Sequence, residues 1–172
     1  MDTGLAVLHI LVGLLFVGHG AQKLFGIFGG HGFEGTSALM HSLGLQPGRF
    51  HASAAGFNEF VGGALLALGL LVPVAAALLI ATMVAASLTA HRGKGIWNSR
   101  GGSELPLVYA AVAFTLAALG AGDASLDSAL DLDVGGLGWA LAALGAGLVG
   151  GLGAVASGKL IQHGGDSQAQ GA

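Results

Sequence analysis

One carboxylate, Glu59, stands in an apolar stretch that runs from Ala52 to Ala90 with no other ionisable side chain. The hydrocarbon core of a bilayer, ~30 Å thick, is crossed by ~20 helical residues. The stretch is too long for one crossing, so it must be two, turning near Pro73. The first then begins near Ala52. At ~1.5 Å per residue this puts Glu59 roughly 10 Å inside the membrane. A carboxylate at that depth is costly, and by default it marks a functional site.

The composition agrees. Only 9% of the 172 residues are charged, 53% are hydrophobic, and mean hydropathy is +0.78. A soluble domain carries ~25% charged residues. The expected fold is an all-α integral membrane protein forming a single bundle. A net charge of −3 gives no basis for nucleic-acid binding. Cysteine is absent, which excludes disulfides, thiolate metal sites and cysteine-ligated iron–sulfur clusters within this chain. Met1-Asp2-Thr3 is not a basic n-region and no A-x-A cleavage site follows the first apolar run. Gly4–Phe25 is therefore expected to be a retained span rather than a signal peptide.

Five spans are predicted: Gly4–Phe25, Ala52–Val72, Val74–Ala90, Leu105–Ala121 and Leu137–Ser157. Ser103 is a candidate N-cap for the fourth, and Pro106 is tolerated in its first turn. With five spans the six basic residues (Lys23, Arg49, Arg92, Lys94, Arg100 and Lys159) all lie on or next to one side. The other side carries Asp2, Asp123, Asp127, Asp131 and Asp133. The positive-inside rule then puts the N-terminus outside and the C-terminus in the cytoplasm, across the cell's inner membrane. Residues 1–130 are read as a four-helix membrane bundle, 131–160 as an additional Gly/Ala-rich span and 161–172 as a disordered tail. Two rows of small residues mark the fifth span: Ala146, Gly150, Ala154 and Gly158, beside Ala143, Gly147 and Gly151. Such rows let helix backbones approach closely, within the bundle or against a partner protein or second copy. Leu126, Leu130 and Val134 share a helical face that suggests a short interfacial helix.

The polar residues gather at the cytoplasmic ends of the spans. Helix 1 ends in His19-Gly20-Ala21-Gln22-Lys23, helix 2 opens with Asn58-Glu59, helix 3 runs out at His91, and Trp97 and Glu104 follow. His19 and Lys23, at i and i+4, share a face. Glu59 is the candidate proton acceptor. His19, Gln22, Lys23, Asn58, His91, Trp97 and Glu104 are the candidate pocket around it. Two readings stay open: an intramembrane ion pair of Glu59 with Lys23 or His19 that only sets packing, and a pocket that accepts protons or binds a head group. His19 and His91 as haem ligands are disfavoured, because His91 sits beside Arg92 at the membrane surface. No metal site is expected, since His31, His41, His51 and His163 are loop or interface residues without ligand spacing. His9 reads as a packing histidine. The Gly26–Gly32 run follows a helix rather than a strand and lacks G-K-[ST], so it reads as a tight turn with Phe25, Phe28 and Phe33 at the lipid interface.

These segments carry a family resemblance. Gly18-His19-Gly20-Ala21-Gln22-Lys23-Leu24-Phe25-Gly26 resembles the signature of the DoxX family of small bacterial membrane proteins, as does Leu43-Gly44-Leu45-Gln46-Pro47. Glu59 with Gly62-Gly63 and Leu68-Gly69-Leu70 is similar to the family's second helix. His91, Gly95-Ile96-Trp97-Asn98 and Gly101–Leu107 are similar to its third loop, and Gly120–Asp127 to its ending. The likeness covers about residues 5–130 and implies a four-helix membrane bundle, from which a fifth span departs. It also implies a place in a quinone-linked oxidoreductase or redox-stress complex, with quinone as the ligand and electrons supplied by a partner protein. A small proton-coupled permease or channel and a non-catalytic anchor or assembly protein are the competing readings.

Overall fold

A computed structural model describes residues 2–169, with side chains placed over 3–158. The described residues form seven α-helices and no strands: α1 Asp2–Phe25, α2 Gly32–Ser42, α3 Gly48–Leu68, α4 Val72–Leu88, α5 Glu104–Leu119, α6 Leu126–Ala129 and α7 Leu137–Ala169. Two helices are long and apolar enough to cross a membrane, over Thr3–Phe25 and Leu137–Gly158. Their apolar windows are only 33% and 28% buried. They are therefore not the core helices of a soluble protein, and Val7, Leu11, Leu14, Leu141, Val149 and Leu152 face outward. Apolar surface on that scale requires lipid or a partner to cover it.

α1 packs on α3, α3 on α4, and α4 on both α5 and α7. The first contact depends on glycine. A Cβ on Gly13 would lie 2.6 Å from the Gly63 carbonyl oxygen, and one on Gly63 would lie 2.6 Å from that of Gly13. No side chain fits in either place, so the two backbones meet directly. The core beyond it is Val12, Phe16, Leu66, Val72, Leu79, Ile80 and Leu116, set among buried alanines of α4, α5 and α7.

Two polar groups fasten the end of the molecule remote from Lys23. His9 is 2% exposed, its Nδ1 3.1 Å from the Leu66 carbonyl and its Nε2 3.4 Å from that of Gly120. It joins α1, α3 and the end of α5, as a packing histidine should. Asp127, also buried, accepts hydrogen bonds from the backbone N–H of Leu71 at 2.8 Å and of Val72 at 3.4 Å. It thereby caps α4 from α6, distant in the chain, supplying acceptors for N–H groups at the helix start.

Several expectations shift. The turn before α4 is at Gly69–Leu71, and Pro73 lies inside the first turn of the helix. The 26–51 connection contains α2, which the sequence does not predict. Ser103 occupies the N-cap of α5 without a side-chain cap bond. The expected interfacial helix shortens to the single turn α6, whose Asp127 faces inward. Of the small residues on α7, Ala140, Ala143, Gly147 and Gly151 form the row that packs against Ile80, Ala81 and Val84 of the same chain, and Gly158, from the other row, packs on the backbone of Gly44 and Leu45. Ala146 and Gly150 lie to one side of it and are exposed. The expected tail, 161–172, falls where side chains are not described, as does Lys159.

Candidate functional site

Lys23 lies in the last turn of α1, and Glu59 sits midway along α3. The glycine contact between these helices brings the two side chains together. Lys23 Nζ donates a hydrogen bond to Glu59 Oε2. The carboxylate is buried, its side chain 4% exposed, whereas the lysine side chain is 27% exposed. The pair therefore has a dry end and a wetter one. The other ion pair among the described residues, Arg49 with Glu34, is open on both sides and contributes little. α2 steadies the site: the Thr36 hydroxyl donates to the Lys23 carbonyl at 3.3 Å, partnering one of the free carbonyls at the end of α1.

The pair borders a cavity of about 260 Å³. Its polar lining comes from Lys23, Glu59, Asn58, His51, His91, Thr82 and Thr89, and its walls from Leu39, Met40, Leu43, Leu45 and the alanines of α3 and α4. Gly150 and Ala154 of α7 complete it. Five helices thus surround one largely apolar chamber with a buried carboxylate in its wall. Such a chamber can hold a polar head group, and the carboxylate can accept or return a proton there.

The structure brings together only part of the pocket expected from sequence. Lys23, Asn58, Glu59 and His91 line the cavity. His91 is also held by its Nδ1, 2.7 Å from the Gly101 carbonyl oxygen. His19 is exposed on the outer face of α1, its ring 6.4 Å from that of Phe16. It pairs with neither Glu59 nor His91, because the i, i+4 relation to Lys23 does not say which side of the stripe faces α3. Gln22 turns the other way and donates to the Phe28 carbonyl at 3.0 Å. Trp97 is 67% exposed. Glu104 accepts from the backbone N–H of Asn98 at 2.8 Å and closes its own loop.

Sequence reasoning missed His51, Thr82 and Thr89 as polar cavity residues. His51 is assigned there to a loop or interface, yet it lies within α3 and is 4% exposed. One signal could have found it. His51, Ala55 and Asn58 stand at i, i+4 and i+7, on one helical face adjoining Glu59.

A family model described as DoxX matches residues 4–92. The match spans α1 to α4 and includes Lys23, His51, Asn58, Glu59 and His91. No curated protein and no solved structure matches the chain.

Proposed function

The chain belongs to the DoxX family, membrane proteins associated with redox and quinone-linked functions, and from that premise we propose that it is the membrane subunit of a quinone-linked oxidoreductase or redox-stress complex. The observation that carries this reading is the Lys23–Glu59 pair set in the wall of an apolar cavity. A quinone head group needs apolar walls for its ring and polar groups for its oxygens. Lys23 would donate a hydrogen bond to an oxygen of the oxidised form, and Glu59 would accept one from a hydroxyl of the reduced form. Reduction would take two electrons from a partner protein and two protons delivered by way of Glu59.

In this reading α1, α3, α4 and α5 form a four-helix membrane bundle with α7 as a fifth span. The Lys23 end faces the cytoplasm. Arg49, Arg92, Lys94 and Arg100 lie toward that end, and Asp123, Asp127, Asp131 and Asp133 toward the other.

Native mass spectrometry of protein gently extracted from its own membranes tests the proposal. The expected result is a bound quinone, or a redox enzyme held in stoichiometric amount, with the quinone lost in Glu59→Gln. A bare homo-oligomer carrying only phospholipid would overturn it. Proton-coupled flux in proteoliposomes without a redox partner would then identify a permease, and its absence an anchor or assembly protein.

A further inference from the structure

The cavity has a second polar group that the proposed function leaves idle. His51 Nε2 is shielded from solvent and has no hydrogen-bond partner among the described residues. Its situation differs from that of the other buried polar side chains. His9 reaches two carbonyls. Asp127 accepts from two backbone amides. Thr36, Ser37 and Thr82 each donate to a carbonyl, and Glu59 has Lys23. An unsatisfied buried nitrogen costs stability, and an apolar side chain of similar size would avoid that cost. The ring also meets the Gln46 backbone, which leaves Nε2 as its unpartnered nitrogen.

Its placement relative to the ion pair is informative. His51 precedes Glu59 by two helical turns on α3, about 12 Å along the axis. Ala54 and Ala55 lie between them, and Ala81, Ala85 and Ala86 of α4 face them across the cavity. The chamber is apolar in the middle, with a charged pair toward one end and an imidazole toward the other. A ligand that spans the chamber must therefore be apolar in the middle and polar at both ends, the form of a six-membered dione ring. The volume, about 260 Å³, falls just below the ~300–1,000 Å³ of pockets for drug-sized ligands. It accommodates such a ring but not a long tail as well.

We infer that His51 is the second anchor of this cavity, so that its ligand carries two oxygens on opposite sides of one flat apolar ring, the first at Lys23 and Glu59 and the second at His51 Nε2. This rests on the quinone reading and deepens it. Imidazole suits the position chemically. One tautomer donates from Nε2 to a carbonyl oxygen, and the other accepts there from a hydroxyl.

The test uses the full chain in mild detergent and two probes, a short-alkyl para-benzoquinone and an analogue lacking the oxygen distal to the chain's first anchor. Affinity and melting temperature are read for the wild type, His51→Leu, His51→Gln and Glu59→Gln. The wild type is expected to prefer the dione by about tenfold or more. His51→Leu should erase that preference while changing the ligand-free melting temperature little, because it removes an unpartnered nitrogen together with the contact to the Gln46 backbone. His51→Gln, which keeps a donor and an acceptor, should restore part of the preference. If His51→Leu keeps the full preference while Glu59→Gln loses binding, the second anchor is wrong and the quinone reading stands. If His51→Leu melts lower with both affinities unchanged, His51 is a packing residue and the inference is overturned. If the wild type binds neither probe, the quinone reading falls and this inference with it.

Discussion

At the scale of single residues, the Lys23–Glu59 pair is asymmetric. The lysine is partly exposed and the carboxylate is not, so the two are not equally hard to orphan. A flexible lysine can carry its ammonium toward the interface when its partner is gone. A carboxylate on the inner side of a helix contact has nowhere to go. Lys23→Met is accordingly expected to destabilise the protein more than Glu59→Leu, toward the ~3–5 kcal/mol typical of an uncompensated buried charge. Combining both substitutions should recover most of the loss, since an apolar pair of similar volume costs little. Denaturation of the four proteins in one detergent checks the order. A double variant that is stable but binds no quinone would separate the pair's ligand role from its packing role. A double variant as unstable as Lys23→Met would show that the charges themselves hold α1 on α3.

At the scale of elements, α7 joins a chamber otherwise built by helices inside the family match. It lies outside the family match yet supplies wall to the cavity through Gly150 and Ala154. Its faces divide the work. A Cβ on Gly151 would lie 2.7 Å from the Ala81 carbonyl oxygen and from Val84 Cβ, in direct contact with α4. One on Gly150 meets only Ala81 Cβ, at 3.3 Å. Gly151→Leu should therefore push α7 away from α4 and cost stability, by about 1–3 kcal/mol or more as overpacked contacts do. Gly150→Leu should leave the fold nearly as stable and weaken binding by filling the chamber. Melting temperature and quinone affinity, measured on both variants, separate the two effects. Equal losses of stability would mean that α7 does not pack on α4 by the Gly147–Gly151 face.

At the scale of the whole molecule, the arrangement to check is the number of crossings and their direction. Because the chain has no cysteine, single cysteines can report it cleanly. A cysteine in place of Lys94 should be labelled by a membrane-impermeant thiol reagent only from the cytoplasmic side, and one in place of Asp131 only from outside. Labelling of both from the same side would break the proposed topology. Much of this architecture is visible in one dimension. The positions of α1, α3, α4, α5 and α7 follow from the length of apolar runs, and Glu59 and Lys23 are conspicuous because a charge among apolar residues needs no alignment to be noticed. α2 was not visible. It is short, half polar, and has His31 at its N-cap without a side-chain cap bond, so packing on α1 and α3 holds it rather than any local signal. The same limit applies to rotation about each helix axis. Sequence by itself determined that this chain is helical and made for a membrane, and that one carboxylate is buried at a cost. Only the tertiary structure decided that His19 faces away, that His51 faces in, and that α7 closes the cavity. Periodicity defines a stripe on a helix, whereas which neighbour the stripe meets depends on backbone contacts such as Gly13 on Gly63, made by residues distant in the chain.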